Sequence, residues 1–263
     1  MFEQSINIIS NNEVAPDTFM LRLLSPDIAS AARPGQFVMI KVGDSFDPLL
    51  RRPFSICGTE EGGIVRILFK AVGRGTALLA ARKEGESIPV LGPLGSGFAL
   101  LHTEKPVFLM AGGIGIAPVL FLFQYLKPHN YKFLSGYRTS SEIINIDGTG
   151  IPDFKMDIAT DDGSEGFNGR VTNLLEDILD SGIEEPAVIY ACGPLPMLKE
   201  TARISLERNL GCQVSMETLM ACGIGVCQGC AISLLSDIKE APYHRVCKEG
   251  PVFDSREIDW NRL

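Results

Sequence analysis

The sequence lacks any run of eighteen or more apolar residues, so no membrane-spanning helix is expected. Its first ten residues, Met-Phe-Glu-Gln-Ser-Ile-Asn-Ile-Ile-Ser, carry no basic stretch ahead of the apolar ones, and a secretory signal is not expected either. Positive charge is scarce. Lys and Arg number 24 against 32 Asp and Glu, and the net charge of −8 argues against nucleic acid and anionic membrane as partners. The dinucleotide fingerprint G-x-G-x-x-G is absent, as are internal repeats and low-complexity tracts. Seven cysteines, an odd number in a long chain without an export signal, speak against a disulfide framework and for a reducing, cytoplasmic location.

Four of those cysteines form a pattern. Cys222, Cys227, Cys230 and Cys247 read C-x4-C-x2-C-x16-C, which matches the plant-type ligand spacing for a [2Fe–2S] cluster. Gly223, Gly225 and Gly229 lie among the first three. A loop wrapped round a cluster brings its backbone close to the sulfurs, often at φ > 0, and its N–H groups can then point at them. Structural zinc sites also use four cysteines, but commonly as two separated C-x2-C pairs, and only one such pair is present here.

The 263 residues allow about two domains and a small appendage, and 45% hydrophobic residues suffice for a sizeable core. Residues 1–101 read as a β-barrel: short apolar runs such as 37–42 and 64–69 alternate with turn signals at Pro34-Gly35, Gly43-Asp44, Gly62-Gly63 and Gly92-Pro93. One helix is expected there, over 76–83. Residues 102–211 read as a doubly wound parallel α/β domain, with strands expected at 106–111, 131–135, 156–160 and 187–191 and helices at 119–126, 172–179 and 196–210. Residues 212–263 make the cluster module. The expected fold class is therefore α+β multidomain: an antiparallel barrel, a doubly wound domain and a small iron–sulfur module.

Three further motifs carry chemistry. Arg52-Pro53-Phe54-Ser55 sets a guanidinium beside a hydroxyl, a pairing that suits phosphate. About twenty residues on, Phe69-Lys70-Ala71 precedes Gly75 and Thr76 at the start of the expected helix, where backbone N–H groups attract anions. Gly92-Pro-Leu-Gly-Ser-Gly97 is expected to turn and close the barrel. Gly112-Gly113-Ile-Gly115-Ile-Ala-Pro118 follows the first α/β strand and opens a helix, the place where such domains bind ligand. Cys192-Gly193-Pro194 ends a later strand and faces the same crevice, although a lone cysteine is more often core filling, the reading given to Cys57 and Cys212.

In this order the motifs resemble the ferredoxin reductase-like flavoproteins. The stretch 220–230, together with Arg245-Val-Cys-Lys-Glu-Gly-Pro-Val-Phe253, resembles the electron-transfer subunits of class-B dihydroorotate dehydrogenases over nearly the whole chain. The resemblance implies FAD on Arg52, Pro53, Phe54, Ser55, Phe69, Lys70, Ala71, Gly75 and Thr76. It implies NAD(H) on Gly112, Gly113, Gly115, Pro118, Asp161, Asp162, Cys192, Gly193 and Pro194, with Cys192 a catalytic candidate near the nicotinamide, and a [2Fe–2S] cluster on the four cysteines. Phe54 departs from the family, which has an aliphatic residue there. The implied partner is an FMN-containing catalytic subunit in a heterotetramer. Its electrons would cross the cluster to FAD and leave as hydride to NAD+, in pyrimidine biosynthesis. Asp161 and Asp162 stand where NADP-using relatives hold the 2′-phosphate, so NAD(H) is expected. No dihydroorotate site is visible in the chain. From the residues alone, two alternatives stay open: the small subunit of an NADH-dependent ferredoxin:NADP reductase or sulfide dehydrogenase, and an NADH-reporting redox sensor.

Overall fold

The computed structural model describes residues 1–43, 47–101, 104–146, 154–182, 184–235 and 242–263. Asp44, in one of the expected turns, lies outside them. Six strands close an N-terminal antiparallel barrel: β1 (Phe2–Ala15), β2 (Thr18–Leu24), β3 (Phe37–Ile40), β4 (Arg52–Glu60), β5 (Ile64–Lys70) and β6 (Ser87–Leu94), in the order β1-β2-β5-β4-β3-β6. Alternate residues point inward, among them Ile6, Ile8, Leu21, Leu23, Ile67, Ile88 and Val90, all buried. Each such side chain stabilises the fold by roughly 1.5–3 kcal/mol.

Two helices interrupt the barrel where one was expected. α1 (Pro26–Ala31) opens on Ser25, whose Oγ accepts from Ile28 N, with Pro26 at the first turn. α2 (Arg74–Ala80) starts and ends earlier than expected. Gly92-Pro93 is also not a turn. It lies within β6, which pairs with β1 at Phe2↔Gly92 and with β3 at Met39↔Leu91 and Phe37↔Leu94. One residue of β3, Val38, thus stands opposite two of β6, Gly92 and Pro93, and the resulting bulge absorbs the missing proline N–H. The barrel does close through this segment, but as a strand.

The second unit is a seven-stranded sheet in the order β10-β9-β8-β7-β11-β12-β15. Its strands are β7 (Val107–Gly112), β8 (Tyr131–Tyr137), β9 (Asp157–Thr160), β10 (Phe167–Asn168), β11 (Val188–Cys192), β12 (Gly211–Ser215) and β15 (Val252–Asp254). All neighbours are parallel except β12 and β15. β7 is buried along its whole length, as a continuous apolar run between two helical layers should be. The helices are α3 (Ile116–Leu126), α4 (Val171–Asp180) and α5 (Leu195–Glu207). α3 also packs on the barrel, where Phe121 joins the barrel core. Arg66 of β5, 1% exposed, donates to Gln124 Oε1 of α3 and lies 3.6 Å from Glu60. The connector between the units is fixed by Tyr190, whose Oη donates to Ala99 O (3.1 Å) and accepts from Leu101 N (3.0 Å).

The boundary expected at 211/212 falls inside β12. Beyond it the chain leaves the sheet, forms the hairpin of β13 (Ala231–Ser233) and β14 (Tyr243–Arg245), and returns as β15.

Candidate functional site

The flavin motif sits where the barrel opens. Arg52 to Ser55 of β4 pair with β3, but β4 joins β5 only from Ile56↔Ile67 onward, while Leu68 to Lys70 of β5 pair with β2. The two strands therefore splay apart and leave a cleft of about 240 Å³. Pro53, Phe54 and Ser55 form one wall, and Leu68, Phe69 and Lys70 the other. Phe54 packs edge-on against Phe69, with ring centroids 5.6 Å apart, so the unusual aromatic residue stiffens the cleft wall. Arg52 and Gly75 lie side by side: a Cβ at 75 would stand 3.1 Å from Arg52 Nε.

Four of the expected residues are already engaged within the chain: Arg52 Nη1 donates to Leu50 O at 2.7 Å, Lys70 Nζ donates to Glu142 Oε1 at 3.4 Å, and Thr76 and Ala71 also have partners. Thr76 Oγ1 accepts from Val72 N and Gly73 N, capping α2. Ala71 N donates to Asp17 O at 2.7 Å. The cleft has a further wall that the sequence reading missed. Met216, Glu217, Thr218, Met220 and Pro251, from the segments entering and leaving the cluster loop, line it together with Ile114 and Ala117. Protein surrounds the Glu217 carboxyl while the cleft leaves it open to solvent, and desolvation pushes its pKa up. An acid after a strand gives no sequence signal that it borders a cleft. An open strand edge, an arginine against a glycine and an aromatic wall fit a flavin nucleotide.

The nucleotide motifs meet at the sheet's switch point. From β7 the chain proceeds outward through β8 and β9, then returns to the other side as β11. A crevice therefore opens between the carboxyl ends of β7 and β11. The glycines there serve close packing first. A Cβ at Gly112 would stand 2.7 Å from Met197 Sδ, one at Gly115 2.4 Å from Cys192 O, and one at Gly193 2.9 Å from Gly112 N. Gly113 differs: at φ +52 it meets nothing within 4 Å, so its backbone is open to a ligand. Pro118 is buried in the first turn of α3. Cys192 is 1% exposed, and burial, with Glu217 nearby, pushes its thiol well up. Asp161 and Asp162 follow β9, two strands away from β7. Burial likewise raises Cys57 to about 12 and Cys212 to about 11, as core thiols.

The four cluster cysteines come together through the β13–β14 hairpin. Cys230 precedes β13 and Cys247 follows β14. The register Ala231↔Arg245 and the bond Val246 N to Cys230 O (3.0 Å) bring the distant cysteine back beside the loop. The x16 spacing is this hairpin, of which residues 236–241 lie outside the described set. Backbone donors point at sulfur: Gly225 N at Cys247 Sγ (3.1 Å), Cys227 N at Cys222 Sγ (3.4 Å) and Gly229 N at Cys227 Sγ (3.5 Å). Burial pushes the Cys222 thiol up, but the N–H groups of Cys227, Ile224 and Val226 outweigh it and bring the thiol down to about 6. Gly223 (φ +71) and Gly225 (φ +81) take the left-handed conformation, as does Gln228 (φ 59), whereas Gly229 does not. Arg245 locks the loop: its Nη1 donates to Gly225 O (2.7 Å) and its Nε to Glu249 Oε2 (3.0 Å). Cys227 is exposed, while Cys230 and Cys247 are buried. Among the described residues no three His, Cys, Asp or Glu side chains close on a single ion position. Four thiols, three of them met by backbone N–H groups, fit an iron–sulfur cluster.

A splayed flavin barrel, a doubly wound nucleotide domain and a cysteine loop define a ferredoxin reductase-like oxidoreductase with an iron–sulfur module. Residues 217–259 match the family described as the iron-sulfur cluster binding domain of dihydroorotate dehydrogenase B. The electron transfer subunit of dihydroorotate dehydrogenase B (NAD(+)) from Desulforamulus reducens is 41% identical over 253 residues, 94% of each chain. The corresponding subunit of Caldanaerobacter subterraneus is 36% identical over 98% of each. A solved structure of an NADH-dependent reduced ferredoxin-NADP oxidoreductase superposes with a TM-score of 0.85 at 30% identity, over 99% of this chain and 91% of that one. The chain belongs to the family of dihydroorotate dehydrogenase B (NAD(+)) electron transfer subunits.

Proposed function

We propose that this chain carries electrons from the FMN of a dihydroorotate-oxidising partner subunit, through a [2Fe–2S] cluster and FAD, to NAD+ in pyrimidine biosynthesis. The observation that carries the reading is the shared wall. The segments leading into and out of the cysteine loop also line the cleft between β4 and β5. When bound, FAD couples one-electron arrivals from the cluster to two-electron delivery to NAD+. Arg52, Pro53, Phe54, Ser55, Phe69, Lys70, Ala71, Gly75 and Thr76 hold the flavin nucleotide. Cys222, Cys227, Cys230 and Cys247 hold the cluster. Gly112 to Gly115, Pro118, Asp161, Asp162 and Cys192 to Pro194 frame the nicotinamide nucleotide, which approaches at Gly113. Cys192, a buried neutral thiol, acts by shape beside the nicotinamide.

The exposed side of the cluster loop, at Cys227, faces the partner. The assembly is a cytoplasmic heterotetramer, two copies of each subunit. The chain divides into a barrel (1–101), a nucleotide domain (102–211) and a cluster module (212–263), with β12 shared between the last two. Among the described residues no helix is long and apolar enough to cross a membrane.

The test is Cys227→Ser in the reconstituted complex. FAD content and NADH:dye activity are expected to persist while dihydroorotate-dependent NAD+ reduction ends. Retained orotate formation coupled to NAD+ would overturn the wiring. The likeness to the NADH-dependent ferredoxin-NADP oxidoreductase favours one second reading, a small subunit beside a different large partner. Copurification followed by an orotate assay separates the two.

A further inference from the structure

In dinucleotide-binding domains an acidic residue near the adenosine ribose selects NAD through the 2′-hydroxyl, and a nearby arginine accommodates the 2′-phosphate of NADP. β8 lies between β7 and β9, the strand that Asp161 and Asp162 follow. The residue following the last of β8 is Arg138, the type that suits NADP. The guanidinium is not idle, however. Its Nε donates to Glu142 Oε2 at 3.1 Å and its Nη2 to Glu142 Oε1. Arg138 N also points at Glu142 Oε2, 3.4 Å away. This is a two-pronged Arg–carboxylate pair, which fixes the plane of the guanidinium as well as its charge.

Glu142 holds a second cation. Lys70 Nζ, at the flavin cleft, lies 3.4 Å from Glu142 Oε1. Arg138 bonds hold the Glu142 carboxyl down at about 2, with Lys70 adding to the effect, so it stays ionised at working pH. The turn that carries Glu142 is tied to the next strand end. Ser164 Oγ accepts from Ser140 N (2.7 Å) and donates to Asp162 Oδ1 (2.6 Å). Asp162 also accepts from Ser164 N at 3.0 Å. Its carboxylate is thus oriented by its own turn, and the Ser164 bonds lower its pKa and keep it charged.

We propose that Glu142 is a specificity-determining positioning residue: by occupying the Arg138 guanidinium it denies the nucleotide site the cation that a 2′-phosphate requires. This deepens the proposed function and rests on NAD(H) binding at the β7–β8–β9 strand ends. A phosphate arriving at Arg138 would have to displace Glu142 or sit beside its negative charge, whereas a ribose hydroxyl would not.

The experiment uses the full-length, FAD-loaded chain. Calorimetric titration with 2′,5′-ADP and with 5′-AMP is run on the wild type, Glu142→Gln, Arg138→Ala and the double variant, alongside NADH- and NADPH-dependent dye reduction. Glu142→Gln is expected to tighten 2′,5′-ADP about tenfold, the scale of one charge-assisted hydrogen bond, with 5′-AMP unchanged. The ratio of kcat/KM for NADPH over NADH rises in parallel, through KM for NADPH rather than kcat. Adding Arg138→Ala erases the gain. An unchanged 2′,5′-ADP affinity in Glu142→Gln, or a gain that survives Arg138→Ala, overturns the proposal. Arg138→Ala alone tests it even if Glu142→Gln fails to fold. It is expected to change 2′,5′-ADP affinity less than about twofold, and a tenfold loss would mean that Arg138 already serves the phosphate. If the wild type neither binds 5′-AMP nor oxidises NADH, the proposed function itself fails. If it does both and Glu142→Gln gains nothing, only this inference fails.

Discussion

Gly223→Ala should cost the chain its cluster. Gly223 has φ +71, and a Cβ there would stand 2.5 Å from Met39 Cγ and 2.9 Å from its Sδ. Met39 is fully buried in β3, and its Cγ is the near part of the side chain, so relief requires a new rotamer inside a packed core. The left-handed backbone costs an L-residue about 1–2 kcal/mol, and overpacking adds about 1–3 kcal/mol. The sum, on the order of 2–5 kcal/mol, falls on the loop that presents three of the four thiols. The assay is iron per chain after reconstitution, read with visible circular dichroism and thermal unfolding. Gly62→Ala is the control. Gly62 has a similar φ of +81 in the β4–β5 turn but nothing within 4 Å, so only the backbone cost applies. The variant at 223 should lose most of its iron while FAD stays bound, and the variant at 62 should keep both. Equal iron content and equal melting in the two would refute the reasoning, because the contact with Met39 would then carry no weight.

Other outcomes follow from the same geometry. Arg245→Met removes the bonds to Gly225 O and Glu249, each a charged hydrogen bond of about 1.5–3 kcal/mol, and should speed cluster loss to a chelator, followed by visible absorbance. Alkylation of the folded chain at pH 8 should spare Cys57, Cys192 and Cys212, whose thiols burial pushes far above that pH; modification of any of them on the time scale of Cys227 in cluster-free protein, read by mass spectrometry, would contradict their placement. Tyr190→Phe loses both bonds to the connector at Ala99 and Leu101 and should lower stability by about 1–3 kcal/mol in urea unfolding, with FAD still bound. Glu142, whose folded pKa lies below the ordinary 4.5 at about 2, stabilises the native chain above pH 4.5 and loses that contribution as pH falls toward 2. Glu142→Gln should flatten stability across this window, and an unchanged pH profile of the urea midpoint would refute it.

What could be read in the sequence were features whose chemistry is local. Cysteine spacing, a continuous apolar run followed by glycines, and Arg52-Pro53-Phe54-Ser55 each declare themselves within a few residues. Features that depend on register did not. Gly92-Pro93 looks like a turn because both residues break strands, and only the pairing of β6 with β3 reveals a bulge that tolerates them. α1 was written in Ser25-Pro26-Asp27, a serine cap followed by proline and an acid, but its single buried side chain, Ile28, gives too little periodicity to stand out. The expected end of β8 at 135 stopped short of Tyr137 and so left Arg138 and Glu142 in an ordinary polar turn. Glu217 borders the cleft only because the cluster segment folds back on the barrel. The glycines of 112–115 were expected to admit a ligand, yet most of them let two loops pack, a distinction that needs neighbours distant in the chain.

The antiparallel pairing of β12 with β15 has an evolutionary consequence. The chain departs from the sheet after Ser215 and rejoins it at Val252, directly opposite. Everything between these residues, cysteines included, is an excursion whose two ends stay in register whatever happens along it. Closing a longer or shorter excursion changes the entropy only slowly with length, and insertion succeeds where chain ends lie close together. A reductase ancestral to such a chain could have acquired its metal-binding limb at this edge without redrawing the sheet, and laboratory exchange of limbs between relatives should cut at the same two residues.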